Sequence, residues 1–583
     1  MRGGWLVVLW LGLLGGGSGL RFTDHEMEGI RQRIKSMFYH AYNSYLDNAY
    51  PYDELRPLTC DGQDTWGSFS LTLIDALDTL LVLGNNTEFQ RVATLLQDTV
   101  DFNMDVNASV FETNIRGRGG GREGGRPTSE WWGVCCPPTC CLGGPGWSQS
   151  LAGPAPALSS GWLLTSQGNY CLMSDANQRG VLAAFQTSSG MPYGTVNLLR
   201  GVSPTETAVT CTAGVGTFIL EFSALSRLTG DQQFERAARH ALQALWSTRS
   251  EIGLVGNHID VQSRKWVAQD TGIGAGVDSY LEYLVKGSIL LQDQELLNMF
   301  LEYDRAIQNY TRFDDWYLWV QMHKGTVTMP VFQSLEAFWP GLQSLVGDLD
   351  GAIRTFQNYY SVWRQFGGLP EFYSITQGYT VDKREGYPLR PELIESAMYL
   401  FRATGDHTYL QFGLDAIESI EKISKTPCGY ASVKDVRDHK LDNRMESFFL
   451  AETIKYLYLL FDPAHFLHGA GEGGDWEVGG EGCVLGAGGY IFNTEAHPLD
   501  PGALHCCSHH ARERQELQDI LLSLSQPSQN TNSQSETPTQ ADSQSESIAL
   551  KPGERKTTPP LSCPVQPFSA RLAVLGQVFT DPT

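Results

Sequence analysis

The sequence predicts an all-α fold of helical hairpins, an α-solenoid or an α/α toroid, on three observations. Apolar residues recur at spacings of three and four through 30–47, 69–83, 88–102, 212–228, 232–247, 278–291, 293–309, 334–346, 351–366, 391–403, 407–422 and 446–461, the period of a helix with a buried face. Several pairs of these stretches share one joint: LLVLGNNTEF (80–89), LSRLTGDQQF (225–234), LQSLVGDLDG (342–351) and LFRATGDHTYL (400–410). Gly84, Gly230, Gly347 and Gly405 suit the left-handed position that stops a helix, and the Asn or Asp after each can cap the next one. A joint repeated at an irregular period marks stacked hairpins. The third observation is chemical. Acidic residues stand where apolar helices begin or pass in FETNIR (111–116), GAGVDSYLEYL (274–284) and RPELIESAMYL (390–400). Glu112, Asp278 and Glu392 can act together only if the hairpins close into a ring.

The connections between hairpins are unequal. Residues 253–276 and 367–390 carry alternating apolar residues and turn signals, which predicts short β-hairpins. If the tight Gly-Asp joints lie at one end of the toroid, these longer loops lie at the other, where function tends to concentrate. Asp278 and Glu392 each follow such a loop directly. Two regions break the pattern. Residues 117–180 are rich in Gly, Pro and Cys and lack helical periodicity. The doublets Cys135-Cys136 and Cys140-Cys141 are not spaced like zinc ligands. From 501 to 583 the chain turns polar, with QPSQNTNSQSETPTQADSQSES (526–547) unable to bury a core, so a largely disordered tail is expected.

A net charge of −23 over 583 residues excludes a nucleic-acid-binding surface, which needs a basic stripe. Residues 1–19 read as a cleaved secretory signal: Arg2, an apolar run over 5–14, then Gly17 and Gly19. That run is too short for a bilayer, and no later stretch reaches membrane-span length. Asn85, Asn107 and Asn309 open glycosylation sequons, in keeping with a lumenal compartment. Twelve cysteines suit oxidising surroundings. Outside 117–180 they are Cys60, Cys211, Cys428, Cys483, Cys506, Cys507 and Cys563, an odd set in which at least one cannot pair.

Carboxylates recur at helical spacing. Glu392 and Glu395 share a face, as do Asp278 and Glu282, and Pro391 suits a first helical position. A carboxylate in a first helical turn is also favoured by the helix dipole, so each taken alone reads first as an exposed cap. Glu452 lies in FFLAETIKYLYLLF (448–461), apolar almost all round. A pair with Lys455 is the plain reading, yet a buried acid needs a partner or a metal. Phe448, one turn earlier, offers a ring on which a pyranose can stack. Several inward carboxylates in a closed fold are the usual equipment for cleaving a glycosidic bond.

FETNIR, DSYLEYL, RPELIES, MESFFLAETIKYLYLLF and FNTEAHP (492–498) together resemble the motif set of glycoside hydrolase family 47, the class I α-1,2-mannosidases, over roughly 26–116 and 181–500. The resemblance implies an (α/α)7 barrel over 20–500, interrupted at 117–180, with β-hairpin loops at one end. It implies that Glu112 is the general acid acting through a water, Glu392 the general base giving inversion, and Asp278 a third essential carboxylate. Thr494 would be the direct ligand of Ca2+, with Glu395, Glu452 and Glu495 holding the ion's waters. Phe448, Glu395, Glu452 and Arg390 would contact substrate. The chain departs from the family after Arg116, where 117–180 replaces a GGLLSAH-like run and the helix that follows it.

The expected protein is therefore a calcium-dependent, inverting α-1,2-mannosidase of the endoplasmic reticulum lumen, trimming high-mannose N-glycans on misfolded glycoproteins for degradation. The alternative is a non-catalytic mannose-binding adaptor recruiting the same clients; the separate acid and base favour the enzyme. The end of the chain, FTDPT, carries no KDEL-type retrieval signal. Cys563, in PLSCPVQPF (560–568), is a candidate for a mixed disulfide with a thioredoxin-like oxidoreductase. Pairing with Cys506 or Cys507 is the equal alternative.

Overall fold

The computed structural model describes residues 21–102, 104–116, 180–469, 477–478, 484–485 and 488–506. The predicted signal at 1–19, residues 117–179, and the tail from 507 with Cys563 lie outside the described residues. The helices are α1 (Asp24–Asn48), α2 (Leu71–Val82), α3 (Asn86–Thr99), α4 (Val110–Arg116), α5 (Thr212–Gly216), α6 (Ile219–Thr229), α7 (Gln233–Trp246), α8 (Asp278–Leu291), α9 (Gln294–Tyr310), α10 (Trp339–Val346), α11 (Leu349–Phe366), α12 (Glu392–Thr404), α13 (Thr408–Ile423) and α14 (Ile454–Leu460). None among the described residues is long and apolar enough to cross a membrane.

Burial sorts them into two rings. Helices α2, α8, α10 and α14 are buried on nearly every side, whereas α3, α7, α9, α11 and α13 bury one stripe each. That is the difference between a helix apolar all round and an amphipathic one. Inner neighbours pack in the order α4, α5 and α6, α8, α10, α12, α14, and the turn leading into α14 packs on α2. The Arg116–Asp75 ion pair at 2.8 Å links α4 to α2 and completes the circle. Helix α1 covers α14 from outside. The place for an outer partner of α4 falls in sequence at 117–179.

The predicted joints are present. Gly84, Gly230, Gly347 and Gly405 have φ of 80, 84, 92 and 68°. Asn85 and Asp348 cap α3 and α11 by accepting from the N–H of Glu88 and Gly351. The Asn85 amide also donates to Tyr39 Oη at 2.8 Å, while Asn107 and Asn309 are exposed. The predicted hairpins are present too, 258–260 with 265–268 and 372–374 with 379–380.

Three helical runs differ from their periodicity. The run 212–228 breaks between α5 and α6, where a Cβ on Gly216 would lie 2.3 Å from the Tyr280 ring. The start of 334–346 is a 3-10 turn, Ser334–Phe338, and α10 carries Pro340 in its first turn, where a missing N–H costs nothing. The run 446–461 opens with a π-helical turn, Phe449–Thr453. A disulfide joins Cys60 to Cys428 across 368 residues, with Cα atoms 5.7 Å apart.

Candidate active site

Inside the ring lies a cavity of about 490 Å³, in the range of ordinary ligand sites, lined from α2, α4, α5, α8, α12 and the turns before α10 and α14. Its lining includes every residue expected to do chemistry: Glu112, Asp278, Arg390, Glu392, Glu395, Phe448, Glu452, Thr494 and Glu495. Asp278 and Glu392 are the first residues of α8 and α12, so the loop-then-helix pattern carries them to the cavity. Glu112 sits in the first turn of α4, where the Ser109 hydroxyl accepts from its N–H. The π-helical turn carries Glu452, a local widening that recurs at functional sites.

Arg116 organises one side. Its Nε meets Glu112 Oε2 at 2.9 Å, Nη1 meets Asp75 Oδ2 at 2.8 Å, and Nη2 meets Glu495 Oε1 at 2.8 Å. Ser447 Oγ donates to the same Asp75 oxygen at 2.5 Å. Burial opposes the Arg116 charge, but Glu495, Asp75 and Glu112 outweigh it and hold the proton. On another side Lys286 pairs with Glu282 and, at 3.3 Å, with Glu395 Oε1, which also accepts from Tyr456 Oη at 3.2 Å. Arg390 pairs with Glu371 at 2.7 Å, its guanidinium 5.7 Å from the centre of the Phe448 ring.

The expected Glu452–Lys455 pair does not form. Lys455 turns to Asp78 Oδ1 and the Ala496 carbonyl, both at 2.8 Å. Glu452 faces Glu495 and Glu392 across the cavity instead. Burial, then the charges of Glu495 and Glu392, hold the Glu452 proton well above the carboxylate range. A helix residue three positions on can reach either side of its helix, and the loop 493–497 decided which.

Burial pushes Asp278 up to about 7 and Glu392 up to about 8, against the pull of Arg390. Desolvation thus exceeds the favourable field of the helix N-termini. It also raises Glu395 against Lys286, and Glu495 against Arg116. Glu392 and Asp278 are thereby poised near neutral pH, as acid–base work requires.

The donor set fits a hard cation held partly through water. Thr494 lines the cavity beside Glu452 and Glu495. Among the described residues, Glu495 Oε2 and Asp75 Oδ1 receive no hydrogen bond from an N–H or hydroxyl, and crowded acceptor-only oxygens suit calcium. No three His, Cys, Asp or Glu side chains among the described residues converge to hold an ion directly.

Sequence reasoning missed Arg116, Glu446 and Cys211, all on the cavity wall. Arg116 was legible as the last letter of FETNIR. Glu446 pairs with Arg444 at 2.8 Å and had only its place before Phe448 to mark it. Cys211 caps α5, its sulfur accepting from Gly214 N at 3.2 Å, and it is a free cysteine whose thiol burial pushes up. With Cys60 bound to Cys428, Cys211 takes the odd place among the seven cysteines. Cys483, Cys506, Cys507 and Cys563 then form an even set, so the odd count gives no reason for Cys563 to be unpaired.

Comparison with known proteins gives this geometry its family. The sequence profile of Glycosyl hydrolase family 47 matches residues 37–501. The chain belongs to that family. It is 61% identical to mouse (Mus musculus) ER degradation-enhancing alpha-mannosidase-like protein 2, over 99% of this chain and 98% of the relative. Identity to the human (Homo sapiens) protein of that name is 62%, over 94% of both chains. Alpha-mannosidase I MNS4 of Arabidopsis thaliana is 42% identical over 82% of this chain and 70% of its own length. Among solved structures, an alpha-1,2-mannosidase from Trichoderma reesei superposes with a TM-score of 0.64 at 23% identity, covering 81% of this chain and 99% of that one. At that identity the likeness speaks for the fold of this family 47 chain.

Proposed function

We propose that this family 47 chain is a calcium-dependent, inverting α-1,2-mannosidase that trims high-mannose N-glycans of misfolded glycoproteins in the endoplasmic reticulum. One observation carries the reading: a single cavity gathers Glu112, Asp278 and Glu392 around an aromatic wall at Phe448 and an oxygen-rich floor at Thr494. A binding site for mannose has no use for three carboxyl groups of separate parentage. The names of the close relatives support the compartment and the role in degradation.

In this reading Phe448 stacks against the terminal mannose, with Arg390 held over the ring. Glu392, whose proton affinity burial raises, takes a proton from the water attacking the anomeric carbon. Glu112 supplies a proton to the departing oxygen through a second water, with Asp278 sharing the acid side. Inversion requires room for water between base and sugar. Calcium bound at Thr494, with Glu452 and Glu495 behind it, would supply oxygen coordination for sugar hydroxyls and water. A mixed disulfide of Cys563 with a thioredoxin-like oxidoreductase is a further part of the proposal.

Free mannose measured from a high-mannose glycopeptide tests the reading: the parent releases it, and chelation stops release. The adaptor reading draws on the Arg116–Glu112 pair, which ties the acid to a guanidinium at the last described residue of its helix. Glycan binding without release by the parent, with calcium present, would select the adaptor.

A further inference from the structure

Asp53 is a wholly buried acid that the chemistry above does not use. It stands between α1 and the strand Glu54–Arg56, and its partners are backbone amides. Oδ2 accepts from the N–H of Thr65 at 3.1 Å, Trp66 at 2.7 Å and Ser68 at 3.1 Å. Oδ1 accepts from Phe69 at 2.8 Å and Leu71 at 3.3 Å. Its own carbonyl accepts from the Thr72 N–H and hydroxyl at 3.0 and 2.7 Å, so the loop and the start of α2 close around one side chain.

The loop needs such an anchor. Gly67, Ser68 and Ser70 have φ of 107, 64 and 58°, and two of these are non-glycine residues in the left-handed region, which L side chains resist. Five converging N–H groups left without an acceptor inside the fold would seek water and pull the loop apart. What the loop holds is a wall of the cavity: Trp66 and Leu71 line it, beside Glu54 on the strand that follows Asp53. An indole on that wall offers a second flat apolar face to a glycan.

We infer that Asp53 is a positioning residue for glycan recognition. By gathering five backbone N–H groups it fixes residues 65–71 as one wall of the cavity, and so sets how tightly a glycan is held without touching sugar. The inference rests on reading the cavity as a mannoside site.

Asp53→Asn keeps the shape but turns one acceptor into a donor facing other donors. In the full chain with calcium, hydrogen exchange over 65–71 is expected to rise about tenfold, and the Kd for a high-mannose glycopeptide to weaken about tenfold, the order of one charged hydrogen bond. Exchange in α11 and kcat should change less than about twofold, since the acid and base stay in place. Gly67→Ala reaches the same loop independently, because its Cβ would lie 2.9 Å from Val106 Cγ1 at a φ of 107°. It should give the same signature, and it carries the test if Asp53→Asn does not fold. The two together should weaken binding less than the sum of their separate effects. Unchanged exchange over 65–71, or a loss of kcat at unchanged Kd, overturns the inference. A parent that binds glycan but releases no mannose defeats the mannosidase reading alone, because exchange and Kd still judge Asp53.

Discussion

Arg116 is one guanidinium among three carboxylates, and at the scale of single residues it shows how the site holds like charges together. Side chains of Asp75 and Glu495 are 0 and 8% exposed beside it, so its removal strands buried charge. Arg116→Met should destabilise the fold by about 3–5 kcal/mol, the cost of breaking a buried pair from one end. Adding Asp75→Asn should return part of that loss. Denaturant midpoints decide it; a neutral Arg116→Met would show the cluster is already discharged. Glu392→Gln tests the base. Turnover should fall by about 10²–10⁴-fold, the span of general base catalysis, while glycan affinity stays within about threefold because the cavity keeps its shape. Equal release of mannose from parent and variant would remove Glu392 from that role.

Among elements, the glycine joints separate backbone strain from packing. A Cβ on Gly405 would meet nothing within 4 Å, yet φ there is 68°. Gly405→Ala should therefore cost about 1–2 kcal/mol through the left-handed conformation alone. Asp348→Ala, which removes the cap on α11, should cost about 1 kcal/mol. Because neither Gly405 nor Asp348 lines the cavity, neither change should alter glycan affinity. Urea titration with parallel binding measurements checks both, and a large affinity loss in either would mean the two ends of the barrel are coupled. Helix α4 is the contrasting element. Seven residues long, it offers too few turns for periodicity to reveal, and its chemistry betrays it instead.

Across the whole molecule, protonation and calcium should oppose each other. Asp278 and Glu392 hold their protons to about 7 and about 8 in the folded chain, whereas unfolded carboxylic acids release them near their ordinary values of 3.8 and 4.5. Between those limits the native state binds more protons, so stability falls as pH rises. In chelator, Tm should drop between about pH 5 and about pH 8. If calcium binds at Thr494 through waters held by Glu452 and Glu495, its positive charge should favour the deprotonated carboxylates around it, so any stabilisation by added calcium should grow over the same range. A chelated protein whose Tm is flat or rises with pH would refute the assignment. The Cys60–Cys428 bond ties the hairpin after α1 to the hairpin after α13. Replacing both cysteines with Ser should cost about 2–5 kcal/mol, as loss of native cross-links does. Thermal melts of the double variant measure it.

Periodicity, the Gly-Asp joints and the loop-then-helix placement of Asp278 and Glu392 were legible in the sequence because they are local: a repeat of 3.6 residues and a left-handed glycine need only their neighbours. Family motifs carried Thr494, Glu495 and Phe448 to the site for the same reason, as short strings with a known company. What the tertiary structure alone decided is pairing. Lys455 chose Asp78 over Glu452 one turn away, since the incoming loop 493–497 supplied the Ala496 carbonyl. Cys60 found Cys428 across 368 residues, a choice that counting cysteines leaves open. Asp53 reads in sequence as one more polar residue in a turn, and only the folded loop brings five N–H groups to its carboxylate. Closure is the reason for Lys455 and for Cys60: bending the hairpins into a ring makes neighbours of residues from both ends of the chain. For Asp53 the reason is the path of one loop, whose amides lie 12 to 18 residues away in sequence.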